Sequence, residues 1–148
     1  MMMMIDDRSY SLRLYRVDKS NLEKAKEVVR ELGGLLFGLD RDEHESVFAV
    51  AFYNACVRWH FGEAISRRFE YEFLVCLTGK TQISPLLKDV LDFETKPALY
   101  LALASSGAAY GGDFDVDLEE VELEKVKLDT HRMNVIVAVN QQLLMKTD

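Results

Sequence analysis

The chain has 148 residues, a length that fits one domain with one core. Its longest unbroken apolar runs, Val47 to Tyr53 and Ala98 to Ala104, have seven residues each, well short of the roughly 18 needed to cross a membrane as a helix. With 18 Lys+Arg against 25 Asp+Glu the formal charge is −7, which argues against a protein that coats duplex nucleic acid and leaves room only for a local basic site.

Met1 to Met4 lead directly into Ile5, Asp6 and Asp7. No basic segment, long apolar run and cleavage site follow, so no signal peptide is expected. The four methionines read as an artefact at the start of the chain, and the domain as 5–148. Tyr10, Leu12 and Leu14 alternate with Ser11 and Arg13, which predicts a strand ending near Val17. Ser20 and Glu23 have the spacing of a capping box. Leu22, Ala25, Val28, Val29 and Leu32 recur at helical spacing, and Gly33 stands where a left-handed stop belongs. Leu35 to Leu39 reads as a second strand.

Asp40 to Glu45 opens a long helical pattern. Phe48, Phe52, Ala55, Cys56 and Trp59 line one face of it, and Glu43 and Glu45 are expected in its first turn. Ser66 to Thr78 is ambiguous. Phe69, Tyr71, Phe73, Val75 and Leu77 alternate as in a half-buried strand, which local pattern slightly favours, yet Phe69, Phe73, Val75, Cys76 and Leu77 can also cover a broad helix face. Gly79 as a stop, then Ser84 as a cap with Pro85 in the first turn, favour a helix on each side. Leu86, Leu87, Val90 and Leu91 form a short apolar face. Ala98 to Ala104 reads as a buried central strand, and Ser105 to Gly112 as a loop. Asp113 to Leu128 is acidic and irregular. A last helix capped by Asp129 or Thr130 carries Met133, Ile136, Val137, Asn140 and Leu144 on one face.

Most chemical motifs fail on inspection. Gly79-Lys80-Thr81 looks like the end of a phosphate-binding loop, but the required glycine five residues earlier is Leu74. Asp113, Asp115, Asp117 and Glu124 suggest a calcium loop, but its sixth place, which must turn sharply, is Leu118. His44, His60 and His131 have no partner at ligand spacing, and no metal or cofactor is expected. Gly107 to Gly112 does not fit the dinucleotide fingerprint. Cys56 and Cys76 lie among apolar residues and read as reduced core thiols, which suits the cytoplasm.

What remains is a charge contrast. Between Asn54 and Lys88, Arg58, Arg67, Arg68, Lys80 and Lys88 face only Glu63, Glu70 and Glu72. That segment is +2 in a chain of −7, which leaves −9 for the rest. It flanks a Gly-Lys-Thr-Gln-Ile turn that leads into a helix N-terminus, a favourable place for an anion.

The run Glu72 to Ile83, followed by Ser84 to Leu91, resembles the small accessory subunit of the KEOPS tRNA-modification complex, the PRPK-binding protein family. Ser66-Arg67 and Asn54-Ala55 match that family's Ser-Arg pair and Asn-Ala step, and Ala98 to Ser105 its apolar strand. The similarity spans Asn54 to Ser105. It implies one α+β domain, a small, mainly antiparallel sheet flanked by helices, with Ser66 to Thr78 helical. It also implies a non-catalytic subunit that binds the complex's kinase-like ATPase subunit, supports threonylcarbamoyladenosine formation and engages the single-stranded CCA end of tRNA. On that basis Arg67, Arg68, Gly79, Lys80, Thr81, Gln82 and Ile83 are the expected tRNA contacts. Val137 and Leu144 are the expected contacts to the kinase-like partner. Two other classes stay open from the residues alone. One is a helix-turn-helix DNA-binding protein, since two helices meet at Gly79. The other is a small-ligand enzyme whose site carries no familiar motif.

Overall fold

The alternation of residues 8–17 implies a strand, and both of its faces turn out to be covered. In the computed structural model, which describes residues 1–107 and 116–123, β2 (Arg8–Val17) lies inside an antiparallel sheet. Tyr10, Leu12 and Leu14 point to one apolar cluster, Tyr15 and Val17 to another. β4 (Ala98–Ser106) is the central strand and is buried at every position from Ala98 to Ala104. It pairs with β2 on one side and with β3 (Leu35–Leu39) on the other. A strand with layers on both faces reads as an unbroken apolar run, as this one does.

β1 (Met2–Ile5) pairs with the start of β2 through a tight turn at Asp6 and Asp7. Met2 to Met4 are therefore part of the sheet, a correction to the reading that set the methionines outside the fold. β5 (Glu119–Glu120) pairs with Tyr15 and Arg16 of β2. Because β4 occupies the other side of β2, β1 and β5 share one edge.

α1 (Leu22–Leu32) covers one face of the sheet with Leu22, Ala25, Val28, Val29 and Leu32. It stops at Gly33, which is left-handed at φ 75° and donates its N–H to the Val29 carbonyl. The predicted Ser20/Glu23 capping box is not the one used. Asp18 caps a single tight helical turn before α1, exchanging bonds with Asn21. Ser20 donates its hydroxyl to Asp18, and that bond holds the Asp18 carboxyl below its ordinary range. The Asp18 carboxylate, two residues earlier, accepts from the Asn21 amide, one of the orphan amides of this first turn.

The other face carries α2 (Glu45–His60), α3 (Phe69–Thr78) and α4 (Ile83–Val90). α2 is capped by His44, whose Nδ1 accepts from the Ser46 amide at 3.1 Å. Glu45 is in its first turn, but Glu43 lies before it. α3 is a helix, as the resemblance implies and against the local alternation, and it begins at Phe69. α4 starts after Gln82, so Ser84 is inside the helix and not at its cap. Pro85 still falls in the first turn, where its missing N–H costs no helical bond. The α+β class and the antiparallel sheet flanked by helices are those expected. The predicted last helix, with Val137 and Leu144, and most of the acidic tract lie outside the described residues.

Candidate nucleic-acid interface

The seven expected tRNA-binding residues fall at the two ends of α3. Arg67 and Arg68 precede its first residue, and Gly79 to Ile83 follow its last. A ten-residue helix is about 15 Å long, so the two groups are separated by that span and are not one cluster.

The N-terminal group is held by a buried ion pair. Glu72, 0% exposed, accepts from Arg58 Nε at 2.8 Å and from the Ile65 and Ser66 amides at 3.1 Å each. Arg58 also donates to the Glu63 carbonyl at 2.7 Å. One carboxylate thus ties α2, α3 and the loop between them. The Glu and Ser-Arg elements of the motif are linked in space: the Glu72 carboxylate receives the amide of the Ser in that pair. Beyond this knot the two arginines differ. Arg68 donates to Glu70 and lies 4.7 Å from the Tyr71 ring centroid, and the Glu70 carboxylate raises its pKa. Arg67 is exposed and has no ion pair among the described residues.

The C-terminal group is a turn between two helices. Gly79 ends α3 at φ 73°, a left-handed conformation that a side chain would strain. Thr78 returns its hydroxyl to the Leu74 carbonyl at 2.8 Å. Gln82 is the N-cap of α4, and its side chain makes no capping bond. Gly79, Lys80, Thr81, Gln82, Pro85 and Leu86 line a shallow groove of about 340 Å³. Its lining includes a lysine, a hydroxyl residue, an amide and the start of a helix. Ile83, in contrast, is half-buried and packs against the core, so it supports the turn more than it lines the groove.

A second cleft, of about 500 Å³, adjoins the first and shares Lys80. Here Lys96 is buried, yet it donates to Asp40 at 2.8 Å and to Asp89 at 2.7 Å. Those carboxylates, Asp40 first, raise its pKa, and Lys96 in turn lowers that of Asp89. Lys80 Nζ lies 3.4 Å from the other Asp89 oxygen. Gly38 makes this possible: a Cβ there would stand 2.5 Å from the Cβ of Lys96.

The Lys96 cluster and the Glu72 knot are the features the sequence reading missed. Lys96 meets Asp40 across 56 positions of chain, and no local pattern signals such a pair. Asn54, quoted only as part of an Asn-Ala step, is buried with neither side-chain polar atom hydrogen-bonded among the described residues. Cys56 and Cys76 are free and buried. Burial raises both thiols, Cys76 to about 12, so they stay protonated and unreactive near neutral pH. The described part of the acidic tract supplies counter-charges: Asp117 pairs with Lys24 and Glu120 with Arg13. Among the described residues no His, Cys, Asp and Glu are grouped to hold a metal ion, and no helix is long and apolar enough to cross a membrane. No family model matches the chain, and no curated protein matches it either.

Proposed function

We propose that this chain is a non-catalytic accessory subunit of a tRNA threonylcarbamoyladenosine-forming complex, binding the CCA end of tRNA and the kinase-like ATPase subunit. The observation that carries the RNA part is the groove at Gly79 to Gln82. A single-stranded end offers unstacked base edges and phosphates. Lysine and helix N-termini suit the phosphates, and a hydroxyl and an amide can read an edge. Arg67, exposed and without an ion pair among the described residues, is the natural phosphate contact at the far end of α3. The two groups are about 15 Å apart along the helix, a distance that a few extended nucleotides span. Contacts at the two ends thus fit one short strand. The non-catalytic part is supported by Leu74, which is buried within α3. The residues before Gly79 are helical and do not curl round a phosphate. A helix-turn-helix reading finds less support, because Lys88 is the only basic residue on α4.

Salt titrations test the assignment of roles. Each phosphate contact on a single strand adds at most about −0.7 to the slope of log affinity against log salt. Arg67→Ala and Lys80→Ala should each weaken binding and flatten that slope. Gln82→Ala should weaken binding with the slope unchanged, since a neutral amide releases no counterion. Equal slopes for all four proteins would remove the phosphate roles.

A further inference from the structure

Lys80 lines both clefts, and its ammonium group is held on the side away from the groove. Four charges on that side are linked to one another, while Arg41 and Glu43, which also line the cleft, pair with each other. Lys96 is buried between Asp40 and Asp89, and Lys80 reaches the free oxygen of Asp89. The two contacts of Asp89 are unequal. Its bond to buried Lys96 is 2.7 Å, which fixes the carboxylate in place. Its contact with Lys80 is 3.4 Å, between side chains 58% and 40% exposed. A pair of that kind is weak and exchangeable.

We propose that Asp89, positioned by Lys96, is an internal competitor for Lys80 that restrains phosphate binding at the Gly79–Gln82 groove. The inference rests on the nucleic-acid reading of that groove and adds its control element. Lys80, Lys96, Asp40 and Asp89 sum to zero. When Lys80 turns to a phosphate, the remaining three carry −1. That charge repels the incoming phosphate and takes a cation back from solution. A phosphate alone is therefore a poor ligand. The competitor weakens every phosphate ligand alike, so discrimination is left to the contacts to bases that Thr81 and Gln82 can offer. With asparagine at position 89 the same withdrawal leaves Lys96 and Asp40 as a neutral pair, and the restraint is gone.

The test uses fluorescence anisotropy with two probes: a 5′-labelled single-stranded RNA ending in CCA, and labelled inorganic polyphosphate, which has no bases. The proteins are wild type, Asp89→Asn, Lys80→Met and the double variant. Asparagine keeps an acceptor for Lys96, and Asp40 keeps its counter-charge, so a melt near that of wild type is expected. Asp89→Asn should bind both probes about two- to fivefold more tightly, the range of an exposed ion pair. Its salt slope should be steeper by up to about 0.7. The double variant should bind like Lys80→Met. Absence of a gain on both probes, or an equal gain without Lys80, overturns the inference. A Lys80-dependent gain on polyphosphate with no preference for CCA-ended RNA in wild type upholds the inference and overturns the nucleic-acid reading instead.

Discussion

Glu72→Gln should lower the unfolding free energy by about 3–5 kcal/mol, measured by urea denaturation. The carboxylate is fully buried and Arg58 nearly so. Gln keeps the size and an acceptor but removes the charge, leaving a guanidinium buried with no counter-ion. The Ile65 and Ser66 amides also lose a charged acceptor, and bonds to charged groups are the stronger ones. The loss should be felt first in the α2–α3 loop, so hydrogen exchange at Ile65 to Arg68 should accelerate more than in β4. Replacing both partners, Arg58→Met with Glu72→Met, should recover part of the stability, because two apolar groups need no counter-charge. Recovery stays incomplete while the two loop amides lack an acceptor. A Glu72→Gln protein as stable as wild type would mean that the knot does not hold the loop.

Phe73→Ala should cost a similar amount, about 3–5 kcal/mol. Phe73 is fully buried in the middle of α3 and meets Phe37 of β3 edge to face at 6.3 Å between centroids. The two losses differ in what they do to the groove. Phe73 fixes α3 on the sheet, and α3 carries a candidate contact at each end. Loosening it should weaken RNA binding at Arg67 and at Lys80 together. Glu72→Gln acts on the N-terminal loop and should spare the Gly79 turn. A Lys80→Ala substitution made in each background separates them: it should still weaken binding in the Glu72→Gln protein and do little in the Phe73→Ala protein.

The elements that were legible in the sequence are those with one wet face or none. α1 turns one stripe to the sheet and the rest to solvent, so its spacing and its Gly33 stop stand out. β4 is dry on both faces and shows as seven apolar residues in a row. α3 is different. Phe69, Glu72, Phe73, Leu74, Val75 and Cys76 are all buried, so its pattern has no polar side to set a period, and Phe69 to Leu77 alternates by chance as a strand would. Only the resemblance implied a helix there. The caps lie two residues before the predicted ones: Asp18 as well as Ser20 can accept a backbone amide, and α4 starts after Gln82 with no side-chain cap, which local spacing does not signal. At the candidate site, the turn at Gly79 was legible because glycine and the helix signals lie next to each other in the chain. The charges that qualify it were not. Asp40, Asp89 and Lys96 converge through the fold, and Arg68 is neutralised by a glutamate two residues on.

The central claim is that the Gly79–Gln82 groove takes the CCA end of tRNA. Its most direct test is filter binding of one tRNA in two forms, intact and enzymatically trimmed of its terminal CCA, at a single stated salt concentration. An acidic chain has little general affinity for a polyanion, so the claim predicts strong binding of the intact form only. Trimming should cost at least as much as Gln82→Ala does on intact tRNA, and Gln82→Ala should have no further effect on the trimmed form. Equal affinity for the two forms would contradict it.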